Sequence, residues 1–240
     1  MSWNNEMRPV PVQNQAGAYV PRTEAVVSDS NKVLRNTYLL LSMTLLFSAL
    51  MAGVSLAVGV PYGASLVCSL VAMGLLWFVV PRTANSEAGV WVVFAVTGLL
   101  GFGLGPILNH YLRAANGGQI VMMALGMTGA VFVGLSAYAV KTKRDFSFMR
   151  GFLVGGMILM LVLMVGLLVA ALFGYTFQPL ALALSAMVAL LMCGMILYQT
   201  GEIVNGGETN YVLATVTLYV SIYNLFTSLL HLLGFASGDE

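Results

Sequence analysis

GFLVGGMILMLVLMVGLLVAALFGYTFQPLALALSAMVALLMCGMILYQTG, residues 151–201, contains no Asp, Glu, Lys or Arg. A helix rises about 1.5 Å per residue, so about 20 apolar residues cross the ~30 Å hydrocarbon core of a bilayer. The stretch is too long for one crossing and too apolar to face water. Its cluster of turn formers, Gly174-Tyr175-Thr176-Phe177-Gln178-Pro179, divides it into spans near 151–173 and 179–199.

The same reading extends in both directions. Asn36 to Pro81 is also free of charge and double length, and Gly59-Val60-Pro61-Tyr62-Gly63 supplies a turn between spans near 37–58 and 62–80. Spans near 88–108 and 119–140 follow, separated by the polar stretch Asn109 to Gly118, and a more polar seventh runs over 211–235. The expected fold is therefore an all-α integral membrane protein: one transmembrane domain over 37–235, a flexible N-terminal tail over 1–36, and a short tail over 236–240. Composition agrees, since 59% hydrophobic against 8% charged residues leaves little surface for water.

Charge sets the orientation, because Lys and Arg collect in cytoplasmic connections. With seven spans, Arg8, Arg22, Lys32, Arg35, Arg82, Lys141, Lys143, Arg144 and Arg150 fall on one side and Arg113 alone on the other. This puts the N-terminus in the cytoplasm and the C-terminus, with Asp239 and Glu240, across the membrane. Net charge is +1, so no basic field gathers nucleic acid. The first residues lack an apolar core with a cleavage site, so no cleaved signal peptide is expected. The Pro-, Asn- and Gln-containing tail cannot bury enough apolar area to offset its ordering entropy.

Catalytic signatures are missing. There is no G-x-S-x-G, H-E-x-x-H or G-x-x-x-x-G-K-[ST], and Cys68 and Cys193 lie in apolar runs without ligand spacing. No catalytic residue, cofactor or metal site is expected, and the chain reads as a non-enzyme. Gly101 with Gly105, Gly151 with Gly155, and Gly126 with Ala130 and Gly134 have the four-residue spacing that lets helices approach closely.

The last span carries the chemistry. A 100° projection places Asn210, Thr217, Ser221, Asn224, Ser228 and His231 on one stripe, with Tyr219, Tyr223, Phe226 and Leu230 opposite. The polar stripe should face the bundle interior, with Gln199, Thr200 and Glu202 as partners, and the aromatic face should meet lipid or a partner. Glu202 and Glu208 are the acids nearest the stripe. Two roles stay open for it: hydrogen bonding between helices, or a polar path over Gln199, Glu202, Glu208, Ser221, Asn224 and His231.

Gly98-Leu99-Leu100-Gly101-Phe102-Gly103-Leu104-Gly105-Pro106, Gly206-Gly207-Glu208-Thr209-Asn210-Tyr211 and Leu218-Tyr219-Val220-Ser221-Ile222-Tyr223-Asn224-Leu225-Phe226 together resemble the Bax inhibitor family of seven-span membrane proteins. Lys32-Val33-Leu34-Arg35-Asn36-Thr37-Tyr38, Gly105-Pro106-Ile107-Leu108-Asn109 and Leu233-Gly234-Phe235-Ala236-Ser237 point within it to the bacterial YccA branch. The resemblance implies six helices around a central seventh. It also implies a bacterial inner-membrane protein that associates with the membrane-anchored protease FtsH and its membrane-bound complex, and restrains proteolysis of membrane substrates. Other members carry an aspartate pair implicated in a pH-dependent calcium leak; the matching positions here are Gln199 and Ser221, which do not titrate. Two readings follow: a modulator of the protease, or a cation leak channel or transporter of the Bax inhibitor type.

Overall fold

A computed structural model of the chain describes residues 12–13, 19–20, 22–175 and 177–238. Two short strands, β1 (Val12–Gln13) and β2 (Tyr19–Val20), pair antiparallel ahead of the first helix. The helices are α1 (Arg22–Val58), α2 (Tyr62–Gly74), α3 (Val80–Thr83), α4 (Ala88–Leu112), α5 (Gly117–Thr142), α6 (Arg150–Leu172), α7 (Gln178–Val204) and α8 (Tyr211–Ala236). A π turn, Leu75–Val79, joins α2 to α3, and together they form one of seven segments long and apolar enough to span a membrane. The protein is a multi-pass helical membrane protein.

Each break has a local cause. Gly59 and Gly174 take φ values of 69° and 81° where α1 and α6 end, a left-handed conformation that glycine adopts without steric cost. The π turn precedes Pro81, which has no N–H for the Trp77 carbonyl, and the Val80 N–H instead reaches back to Leu75 O.

The helices outrun the apolar windows at several ends. α4 continues through Pro106 to Leu112, and α7 runs on to Val204 before Asn205-Gly206 stops it. α1 already begins at Arg22, well inside the segment 1–36 expected to be a flexible tail. Val33 and Leu34, half-buried, pack on the core and hold that extension. Residues 1–11, 14–18 and 21 of the expected tail, and Asp239 and Glu240, lie outside the described residues.

Helix α8 sits at the centre, against α1, α4, α5 and α7, with 61% of its most apolar window buried. Helix α6 is the opposite case: it packs chiefly on α7, and only 6% of its window is buried. The main core joins α1, α4, α7 and α8 through Leu41, Val93, Val96, Ile196, Leu218 and Tyr219; a smaller cluster around Leu104, Ile120, Ala124, Phe226 and Leu230 fills the end away from the charged loops.

One expected glycine face makes the tightest contact. Gly101 and Gly105 of α4 lie against Ser48 and Ser55 of α1, where an added Cβ would strike those residues. The other two faces do not pack inside the bundle. Nothing lies within 4 Å of a Cβ built on Gly126, Gly134, Gly151 or Gly155, and all four point outward.

Candidate functional site: the buried stripe of α8 and its cap

The polar stripe of α8 is interior, but most of its hydrogen bonds stay on its own helix. Ser221 Oγ donates to Thr217 O at 2.8 Å, Asn224 Nδ2 to Val220 O at 2.9 Å, and Thr227 Oγ1 to Tyr223 O at 3.1 Å. Such back-bonding satisfies a polar side chain in an apolar setting without a neighbour. Gln199 and Ser221, at 7% and 2% exposure, are both buried in the packing of α7 and α8. The Ser221 proton is already committed to Thr217, and Thr200 Oγ1, expected to serve the stripe, is buried without a partner.

Three residues of α8, Thr215, Tyr219 and His231, do reach other helices. Tyr219 is 1% exposed; its hydroxyl donates to Thr97 O on α4 at 3.2 Å and lies 2.5 Å from Ser48 Oγ on α1. Thr215 Oγ1 donates to Tyr211 O at 2.7 Å and sits 3.3 Å from Thr37 O of α1. His231 Nδ1 lies 2.8 Å from Ser185 Oγ of α7, which also lies 3.0 Å from Ala181 O. The serine has one proton, so both contacts are hydrogen bonds at once only when the imidazole carries its proton on Nδ1. The aromatic face, expected to turn outward to lipid or a partner, is instead inside the bundle: Tyr219, Phe226 and Leu230 are buried against other helices of the same chain. A central helix has no lipid side, as the family resemblance implies.

At the charged end, Asn210 is the hub. Its Oδ1 accepts from the N–H groups of Val212 and Leu213, capping α8, and its Nδ2 donates to Ala84 O at 3.1 Å and Asn85 Oδ1 at 2.8 Å. An N-cap side chain satisfies helix donors that have no internal acceptor. Glu208 Oε1 accepts from the Asn210 N–H at 2.7 Å, and Glu202 O accepts from Gly207 N at 2.8 Å. The Glu208 carboxylate and the Glu202 backbone carbonyl therefore shape the α7–α8 turn. Asn205 Nδ2 donates to Arg144 O at 3.0 Å, tying the same turn to the α5–α6 connection, where Phe146 packs over Gly201.

In that connection Ser147 N donates to Asp145 Oδ1 at 2.8 Å, and this bond holds the carboxyl below its ordinary value. Among the described residues no group of three or more His, Cys, Asp or Glu could hold a metal. Sequence reasoning placed Asn210 on the stripe and missed its capping role, though an Asn just before an apolar run is the signal for a cap. The Ser48–Tyr219 and Ser185–His231 pairs had no local signal, being far apart in sequence.

The model for the family described as inhibitor of apoptosis-promoting Bax1 matches residues 30–238. The chain belongs to that family. Among its relatives, the modulator of FtsH protease YccA of Escherichia coli K12 is 48% identical over 210 residues, 88% of this chain and 93% of the relative. The inner membrane protein YccA of Escherichia coli O6:H1 shows the same identity and coverage. An uncharacterized membrane protein of Vibrio cholerae is 47% identical over 212 residues, 88% of this chain and 93% of its own. The matched region starts at the charged end of α1 and takes in the whole bundle around α8.

Proposed function

We propose that the protein is an inner-membrane regulator that binds an FtsH-type membrane protease and modulates its degradation of membrane proteins, without catalysis of its own. The observation that carries this reading is 48% identity, over 88% of the chain, to a protein named as a modulator of that protease. The bundle adds two physical supports. Helix α6 and the outer face of α5 carry Gly151, Gly155, Gly126 and Gly134 with open space beyond them, small-residue faces on which a transmembrane helix can seat. The start of α1, together with Lys141, Lys143 and Arg144, falls on the side that the charge bias assigns to the cytoplasm, where the protease would engage a tail.

Copurification in mild detergent tests this reading. A tagged chain should retain the protease, and deleting residues 1–21, which leaves α1 whole, should weaken retention and modulation together. Recovery of the chain alone from membranes rich in intact protease would refute it.

A second reading, a cation leak over Gln199, Glu202, Glu208, Ser221, Asn224 and His231, draws on one feature. Thr37, Ser136 and Thr200, on α1, α5 and α7 at the charged end, bury hydroxyl oxygens without partners, a setting that favours bound water. This reading predicts flux in liposomes that falls in Glu202→Gln; no flux across a wide pH range would end it.

A further inference from the structure

Between α1 and α5 the bundle is split by an apolar cleft of about 500 Å³, with α4 and α8 as its floor. It runs along α1 from Leu45 to Leu56, which at the helical rise is about 16 Å. That depth matches the hydrocarbon of a single leaflet, half of the ~30 Å core. At the deep end Phe132 of α5 lines the cleft, and behind it the ring meets Tyr38 of α1 edge-on, ring centres 5.9 Å apart, which bounds the space on that side. At the shallow end Leu108 and Val121 lie beside the α4–α5 connection.

The mouth faces outward. Gly53, Leu125 and Gly129 on its walls are exposed on the flank of the bundle, the surface that hydrocarbon covers. The wall hydroxyls of Ser48 and Tyr219 bond each other, and Thr128 donates to Ala124 O, so these groups do not call for water. An empty groove of this size would forfeit dispersion contacts along its whole lining.

We propose that this cleft is a lipid-chain site. One acyl chain of a phospholipid, from the leaflet on the side of the α1–α2 and α4–α5 turns, lies along α1 with its end stopped by the Tyr38–Phe132 contact. The chain fills a space that the helices leave open and bridges α1 to α5 over the buried Tyr219.

The test uses the full chain in vesicles of phosphatidylethanolamine and phosphatidylglycerol with a trace of phospholipid bearing a mid-chain diazirine, followed by mass mapping of the adducts. Helix α6, bare along most of its length, reports ordinary boundary lipid. Adducts on 45–56 and 121–132 should exceed those on 154–168, and should still form when the protein is moved to detergent before irradiation. They should fall to the α6 level in the double variant Gly53→Leu and Gly129→Leu. Neither glycine has an atom within 4 Å of an added Cβ, so the new side chains enter open space. Equal labelling of the cleft and α6 in the unaltered protein would overturn the proposal whether or not the variant folds. So would a cleft that stays unlabelled because a partner helix occupies it.

Discussion

Replacing Asn210 probes the hub at the charged end, because one side chain there performs two separable tasks. Its Oδ1 caps α8 at Val212 and Leu213, and its Nδ2 spends both protons on Ala84 O and Asn85 Oδ1. Losing a cap costs about 1 kcal/mol. Each lost cross-link adds about 0.5–1 kcal/mol, in the lower part of the usual range because Asn85 is exposed. Asn210→Ala should then destabilise by about 2–3 kcal/mol, while Asn210→Ser, which keeps a cap acceptor but cannot span to Asn85, should lose about 1–2 kcal/mol. At roughly 2–4 °C per kcal/mol for a chain of this size, Tm in detergent by circular dichroism should drop by about 4–12 °C for Ala and about 2–8 °C for Ser, with Ala always the lower. Equal Tm values for the two variants would refute the cap, an unchanged Tm in Asn210→Ser would refute the cross-links, and no loss in either would refute the hub.

Three further outcomes follow from the packing. A double-mutant cycle of Tyr219→Phe and Ser48→Ala, read from unfolding in detergent, should show a coupling of about 0.6–1.7 kcal/mol, the range for hydrogen bonds between membrane helices; zero coupling would mean the pair is only adjacent. Gly101→Val should cost about 1–3 kcal/mol by overpacking against the Ser48 backbone, whereas Gly155→Val, facing open space, should leave Tm nearly unchanged. The Asp145 carboxyl is held below its ordinary value of 3.8, so its support for the Ser147 turn is full above that pH and is lost as pH falls through the lowered value. Hydrogen exchange at the Ser147 amide should therefore stay protected through ordinary carboxylate titration and be unprotected at all pH values in Asp145→Ala, which has no acceptor.

The spans were legible because lipid leaves so few solutions. A run such as 151–201 has no fate other than burial in hydrocarbon, and Gly59 and Gly174 mark turns by conformation. The interior position of Ser221 and Ser228 was legible from helical periodicity. What the stripe bonds to was not. A hydroxyl in a helix reaches its own carbonyl four residues back as readily as a neighbour, and the sequence does not say which. The glycine pairs show the same limit from another side: Gly101-Gly105 and Gly151-Gly155 have identical spacing, yet one meets α1 and the other open space, because spacing fixes a face and not what covers it. The helical start at Arg22 was hidden by a polar composition that resembles a tail, though Val33 and Leu34 were there to anchor it.

The proposed regulation acts by direct contact with the protease, through the N-terminal tail as well as the helices in the membrane. Its most direct test is reconstitution of the protease, a membrane substrate and this chain in the same liposomes, with substrate loss followed over time. Degradation should slow in step with the amount of chain incorporated and recover when residues 1–21 are deleted. Degradation at an unchanged rate, in liposomes where the chain is inserted and stable and passes cations, would contradict it.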